Sequence, residues 1–117
     1  MKAIVEVAKP GAALRAARQQ IAGSRRGQSP DYRLSFESAR TLFSELTPAR
    51  VELLDTLCRV GPCSVHALAK AAERNYSNAH ADVARLEALG LVERSEEAQV
   101  SVPFDSVEIV VPLARVA

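Results

Sequence analysis

Apolar residues recur along this chain with two different periods, and the switches between them mark its organisation. The clearest helical pattern is NYSNAHADVARLEALGL, residues 75–91. Ala79, Val83 and Leu86 fall on one stripe at helical spacing, while Ser77, Asn78, Ala81 and Arg85 fall towards the other side. Asn75 is placed to cap this helix, because its side-chain carbonyl can accept from a free N–H of the first turn. Gly90 follows Leu89 where a helix would end in a left-handed residue. The outer face is short, polar near its start, and small at Ala81 and Ala84. A face meant only for water would carry more Lys and Glu, so this one is expected to meet a partner.

The other elements follow in order. Residues 2–8, KAIVEVA, alternate loosely and predict a strand. Leu14, Ala17 and Ile21 predict a helix over 12–22, and GSRRGQSP, residues 23–30, reads as a polar surface loop. Tyr32, Leu34 and Phe36 alternate with Arg33, Ser35 and Glu37, which is a strand pattern. Ala39, Leu42, Phe43 and Leu46 predict a helix from Ser38 to Leu46. Thr47-Pro48 starts the next, Thr47 as cap and Pro48 at the first helical position, where its missing N–H costs nothing. That helix is expected to turn Val51, Leu54, Leu57 and Cys58 inward and to stop at Gly61-Pro62. Ser64 caps a short helix over 65–72 with Val65, Leu68 and Ala69 inside. After Gly90 a strand over 91–94, a turn at 95–97 and a return over 100–102 make a hairpin, and Phe104 with Val107–Val111 makes a last strand.

Three helices, two of them joined tightly, and then a hairpin give the order of a winged helix-turn-helix. The expected fold is α+β, a winged helix-turn-helix with an N-terminal strand-helix-strand extension. Residues 1–37 form the extension, expected to dimerise, and residues 38–117 the winged helix with its C-terminal strand. LTPARVELLDTL, GPCSVHALAKAA, NYSNAHADVARLEALGLVER and VSVPFDSVEI also carry a resemblance. Over about residues 32–110 the chain resembles an uncharacterised prokaryotic family of winged-helix transcriptional regulators. That family is distantly similar to the multiple-antibiotic-resistance and arsenic-repressor groups. VARLEALGLV specifies fold more than function, whereas Asn75-Tyr76-Ser77-Asn78, His80-Ala81-Asp82-Val83 and Val102-Pro103-Phe104-Asp105 are more particular to the family.

The resemblance implies a sequence-specific DNA-binding regulator, a repressor acting as a dimer, with the helix over 76–89 in the major groove. Carried onto this chain, the base-facing positions are Tyr76, Ser77, Asn78, Ala81 and Arg85, flanked by Arg74, Asn75, His80 and Arg94. Asn can pair with adenine and Arg with guanine, and a small Ala admits the backbone or meets a thymine methyl. The same residues could instead be solvated on a helix that serves protein contact. His80, on the flank of the stripe, is expected to be a half-buried structural histidine that could reach a phosphate. Asp82 has the wrong charge for a groove and is expected to pair with an arginine of a neighbouring helix, such as Arg50.

Charge complicates this picture. The net charge is only +1, and residues 1–47 hold eight Lys/Arg against four Asp/Glu, while residues 48–103 hold six against eight. Many DNA-binding domains are clearly basic. The expected wing tip, Ser95-Glu96-Glu97-Ala98, has Arg94 alone at its base, and acidic side chains are repelled by phosphates. Positive charge could come from Arg25 and Arg26 in the loop or from Arg74 at the turn, or those residues could serve solubility alone.

With 117 residues the chain suits one core of ordinary size, and 48% apolar with 25% charged residues excludes general disorder. Cys58, Cys63, His66 and His80 invite a metal, but four residues between the cysteines, across a helix end, fit zinc poorly; Cys58 reads as core. No nucleophile–base pairing, phosphate loop or paired acids appear, so neither catalysis nor a cofactor is expected. No run approaches the ~18 apolar residues of a membrane span, and a cytoplasmic location with reduced thiols is expected. The expected partners are double-stranded DNA and a second copy of the chain. A rival reading is an antitoxin-type interaction protein that binds a toxin-like partner and regulates its own operon.

Overall fold

The computed structural model describes residues 1–7 and 30–113. The helix expected over 12–22, Arg25 and Arg26 lie outside them. The described residues form two compact units, one of residues 1–7, 30–44 and 104–113 and one of residues 45–103.

The first unit is built on a parallel sheet. Its strands are β1 (Ala3–Val7) and β2 (Tyr32–Phe36), joined by a third strand from the far end of the chain. β1 is the middle strand, with Val5 opposite Leu34 on one side and Ile109 on the other. A central parallel strand is covered on both faces, which is why Ala3, Ile4 and Val5 are apolar in succession and all buried. Polar groups pin the register. Lys2 Nζ lies 3.2 Å from Glu108, the N-terminal amine 3.0 Å from Asp105, and Arg33 3.6 Å from Glu6. Tyr32 stacks on Phe104 with centroids 5.6 Å apart.

Helix α1 (Ala39–Glu45) follows β2. The Ser38 hydroxyl accepts from the Thr41 N–H at 3.1 Å, satisfying one orphan donor of the first turn. Leu42 is fully buried, but Phe43, expected to face inward, is 52% exposed. A helix of two turns presents one stripe, and Phe43 lies a residue's rotation away from Leu42.

Helix α2 (Pro48–Val60) opens the second unit as expected, with Thr47 accepting from the Arg50 N–H at 3.3 Å. Its inward stripe is Leu53, Leu54 and Leu57. Val51 and Cys58, expected in the core, are exposed instead, because packing selected the neighbouring stripe of the same period. Helix α3 (Val65–Ala71) is capped by Ser64, which accepts from the Ala67 N–H at 3.1 Å, and buries Val65, Leu68 and Ala69. The turn after it places Glu73 at φ 54, a left-handed conformation. Arg74 N–H donates to the Ala69 carbonyl at 2.8 Å, closing the turn.

Helix α4 (Tyr76–Ala88) matches its expectation at both ends. Asn75 Oδ1 accepts from the Asn78 N–H at 3.2 Å. Gly90, at φ 81, donates to the Glu87 carbonyl, and the Leu91 N–H reaches back to Leu86, both at 3.0 Å. This paired closure is the Schellman arrangement, and it drives the fully buried Leu91 into the core. Ala79, Val83 and Leu86 are fully buried.

The hairpin strands are β3 (Glu93–Arg94) and β4 (Val100–Ser101), shorter than expected. A feature the sequence pattern did not announce is a third member. Cys63, between α2 and α3, bridges Val100 through two hydrogen bonds of 3.2 and 2.8 Å. The last strand, β5 (Val107–Val110), runs parallel to β1 and completes the sheet β2-β1-β5, the pairing that the apolar runs at the two ends of the chain lead one to expect. Its Ile109 and Val110 are 41% and 44% exposed.

Candidate nucleic-acid interface

The expected site residues fall into two sets, one open and one tied up in ion pairs. The open set occupies the first turns of α4. Tyr76, Ser77, Asn78, His80 and Ala81 are all exposed. Asn75 spends its side-chain oxygen on the cap. Among the described residues, the Ser77 hydroxyl and the Asn78 amide group make no hydrogen bond, so their donors and acceptors face outward unspent.

His80 departs from the expected half-buried role. It is exposed and lies 5.6 Å from the Tyr76 ring at an angle of 47°. Tyr76 in turn lies flat on His66 of α3, with centroids 3.9 Å apart and planes within 8°. The stack therefore bridges both helices of the helix-turn-helix. His66 had no sequence signal for this role, because a ten-residue separation across a turn has no period.

The tied set is a chain of ion pairs running behind the open face. Asp82 accepts from Arg50 Nε at 2.9 Å and from Arg74 Nη2 at 2.7 Å, fulfilling the expected pairing with Arg50 and adding a second partner. Burial raises the Asp82 carboxyl, but the hydrogen bonds from Arg74 and Arg50 outweigh it and hold it below its ordinary range. Arg50 also donates to the Glu45 carbonyl at 2.7 Å. Glu45 then takes Arg85 in a fork, Nε to one oxygen and Nη2 to the other, each at 2.6 Å. Those hydrogen bonds lower the Glu45 carboxyl and raise the Arg85 guanidinium. At the hairpin, Arg94 Nε sits 3.0 Å from Glu87.

Arg74, Arg85 and Arg94, all expected to face DNA, are thus each held by a carboxylate in the free chain. The second unit holds six Lys/Arg against nine Asp/Glu, a net −3. Among the described residues, Lys70 is the one Lys or Arg of this unit that forms no ion pair.

A long helix, a one-residue β-bridge at Cys63, two helices joined by a tight turn and a short hairpin define a winged helix-turn-helix protein. The HVO_A0114 family matches residues 45–109, more than half of the chain, and the chain belongs to that family. Among solved structures, the chain is similar to the homodimeric winged helix-turn-helix DNA-binding domain of Mb0332 from Mycobacterium bovis, described as a possible ArsR-family transcriptional regulator. The identity is 24% and the TM-score 0.45, over 81% of this chain and 71% of that one. No curated protein matches. Among the described residues, no helix is long and apolar enough to cross a membrane, and no group of three or more His, Cys, Asp or Glu is placed to hold a metal.

Proposed function

We propose that the chain is a sequence-specific DNA-binding transcriptional regulator, a repressor that acts in the cytoplasm as a homodimer and lays α4 in the major groove. One observation carries this reading: α4 begins with an exposed turn whose Ser77 and Asn78 side chains are unspent, beside the small Ala81. Such a turn admits close approach and offers an amide that pairs with adenine. Arg74, Asn75, Tyr76, His80, Arg85 and Arg94 surround it. Two-fold pairing through the first unit supplies a second reading helix, since one module neutralises few phosphates. The experiment is binding of the chain to DNA upstream of its own gene, with and without the product of the adjacent gene. Sequence-selective retention of that duplex supports the reading; equal affinity for unrelated duplexes refutes it.

A second reading, an antitoxin-type protein that binds a toxin-like partner, draws support from charge. The net −3 of residues 45–103, with Glu96 and Glu97 exposed at the hairpin tip, suits a basic protein better than a polyanion. The two roles are compatible through regulation of a shared operon. In the experiment above, an effect of the adjacent gene product on DNA binding would join them.

A further inference from the structure

We infer that His66, Lys70, Tyr76 and His80 form a proton-responsive grip on the DNA phosphate backbone, one that tightens as the pH falls; this rests on the DNA-binding reading above. The chain has two histidines, and both lie in the exposed stack around Tyr76. The geometry is that of a built surface. Two elements contribute, the His66 and Tyr76 rings stack nearly parallel at 3.9 Å, and Lys70 stands one turn beyond His66 on α3. A solvent-facing stack of this kind adds little to a core, and Tyr76 is 40% exposed.

Charge gives the stack its purpose. Phosphate contact needs cations, yet this unit is net −3 and its arginines are each held by a carboxylate. Histidine is the side chain whose ordinary titration falls between about pH 5 and 8. Protonated, both ring nitrogens donate, and the tyrosine face holds an imidazolium by cation–π attraction. Protonation of both rings moves the unit from −3 to −1 at the face where DNA would lie.

The charges around the stack are of both signs. On α3 the charged group is Lys70, and in the turn they are Glu73 and Arg74, the latter held by Asp82. Along α4, Asp82, Arg85 and Glu87 are all paired. On α2, Arg50 is paired, and Glu52, Asp55 and Arg59 line a separate cleft with Ala72 and Arg74. In the hairpin, Arg94 is paired with Glu87, leaving Glu93, Glu96 and Glu97. Burial pushes the Cys63 thiol up, so it stays neutral throughout.

The test uses the full chain and a mixed-sequence DNA duplex, which reports phosphate contact alone. Affinity is measured against salt at about pH 8 and pH 5, the two ends of the histidine range. The slope of log K against log salt should steepen at the lower pH by about 0.9 per imidazolium in contact. His66→Gln and His80→Gln should each remove their share, and Lys70→Gln should flatten the slope by about 0.9 at both pH values. A slope independent of pH, or one whose steepening survives the double histidine variant, overturns the inference and leaves the DNA reading standing. Histidine variants that keep full DNA affinity but lose a purified partner protein assign the stack to protein contact instead. A folded chain that binds the mixed-sequence duplex at neither pH overturns the inference, whereas the sequence-specific reading falls only if the chain's own upstream DNA is not retained either.

Discussion

Arg85 and Glu45, forty residues apart, meet as a two-pronged pair, with both guanidinium–carboxylate hydrogen bonds at 2.6 Å. In free protein this arginine, placed by the sequence on the reading face, is occupied. Any DNA contact by Arg85 must compete with that carboxylate. Glu45→Gln removes the competing charge while keeping the shape. Its DNA affinity should rise, with the salt slope steeper by about 0.9 per protomer. A slope identical to that of the unsubstituted chain would show that the Glu45 carboxylate does not keep Arg85 from phosphate.

Asn78 offers the cleaner test of base reading, since its side chain is exposed and its backbone alone serves the cap. Asn78→Ala should weaken binding to a selected operator by ~1–3 kcal/mol and leave non-specific binding and thermal midpoint unchanged. Arg85→Ala should cost a similar amount if the arginine also reads a base. Unaltered operator affinity in both variants would move the reading surface off α4.

Acid should loosen the second unit before it affects much else. Asp82 and Glu45 both titrate below their ordinary values of 3.8 and 4.5 in the folded chain. A carboxyl depressed on folding binds fewer protons folded than unfolded, so its contribution is complete above the ordinary value and disappears as pH falls through the lower, folded one. The urea midpoint should therefore hold steady down to about pH 5 and then decline. Asp82→Asn should lower the midpoint at neutral pH and shrink the acid decline. An equal decline in the variant would exclude Asp82 as its source.

The exposed Ile109 and Val110 make the first unit the place to look for assembly. Among the described residues β5 is an edge strand; an edge with apolar side chains invites a second chain, and an inserted lysine blocks it. Ile109→Lys should shift the chain from dimer to monomer in sedimentation and weaken operator binding, with helical content retained. Deleting residues 1–30 should do the same. An unsubstituted chain that sediments as a monomer at micromolar concentration ends the dimer proposal.

What could be read in advance follows a physical line. Caps and stops are local, so Thr47, Ser64, Asn75 and Gly90 were legible from a few neighbouring residues. The buried stripe of α4 was legible because its alternatives are polar. On α2 two stripes of equal period compete, Val51–Leu54–Leu57–Cys58 and Leu53–Leu54–Leu57, and tertiary packing alone chooses the second. Contacts between distant positions were not legible at all. Glu45 with Arg85, His66 with Tyr76, and Cys63 with Val100 leave no periodic trace. The composition gave warning of scarce positive charge, but not that three of the expected DNA-facing arginines would be held by carboxylates.

The Cys63–Val100 bridge has a consequence for how the hairpin comes apart. Strands of two residues each are too short to persist alone in water. Two hydrogen bonds to the segment joining α2 and α3 splice them to the helices, with Val100 fully buried between. The hairpin base should therefore open only when the helical core opens, as one cooperative unit. In hydrogen exchange the amides of Cys63 and Val100 should share a single opening energy with the interior of α4, while the Ser95–Gln99 tip frays independently at a far faster rate.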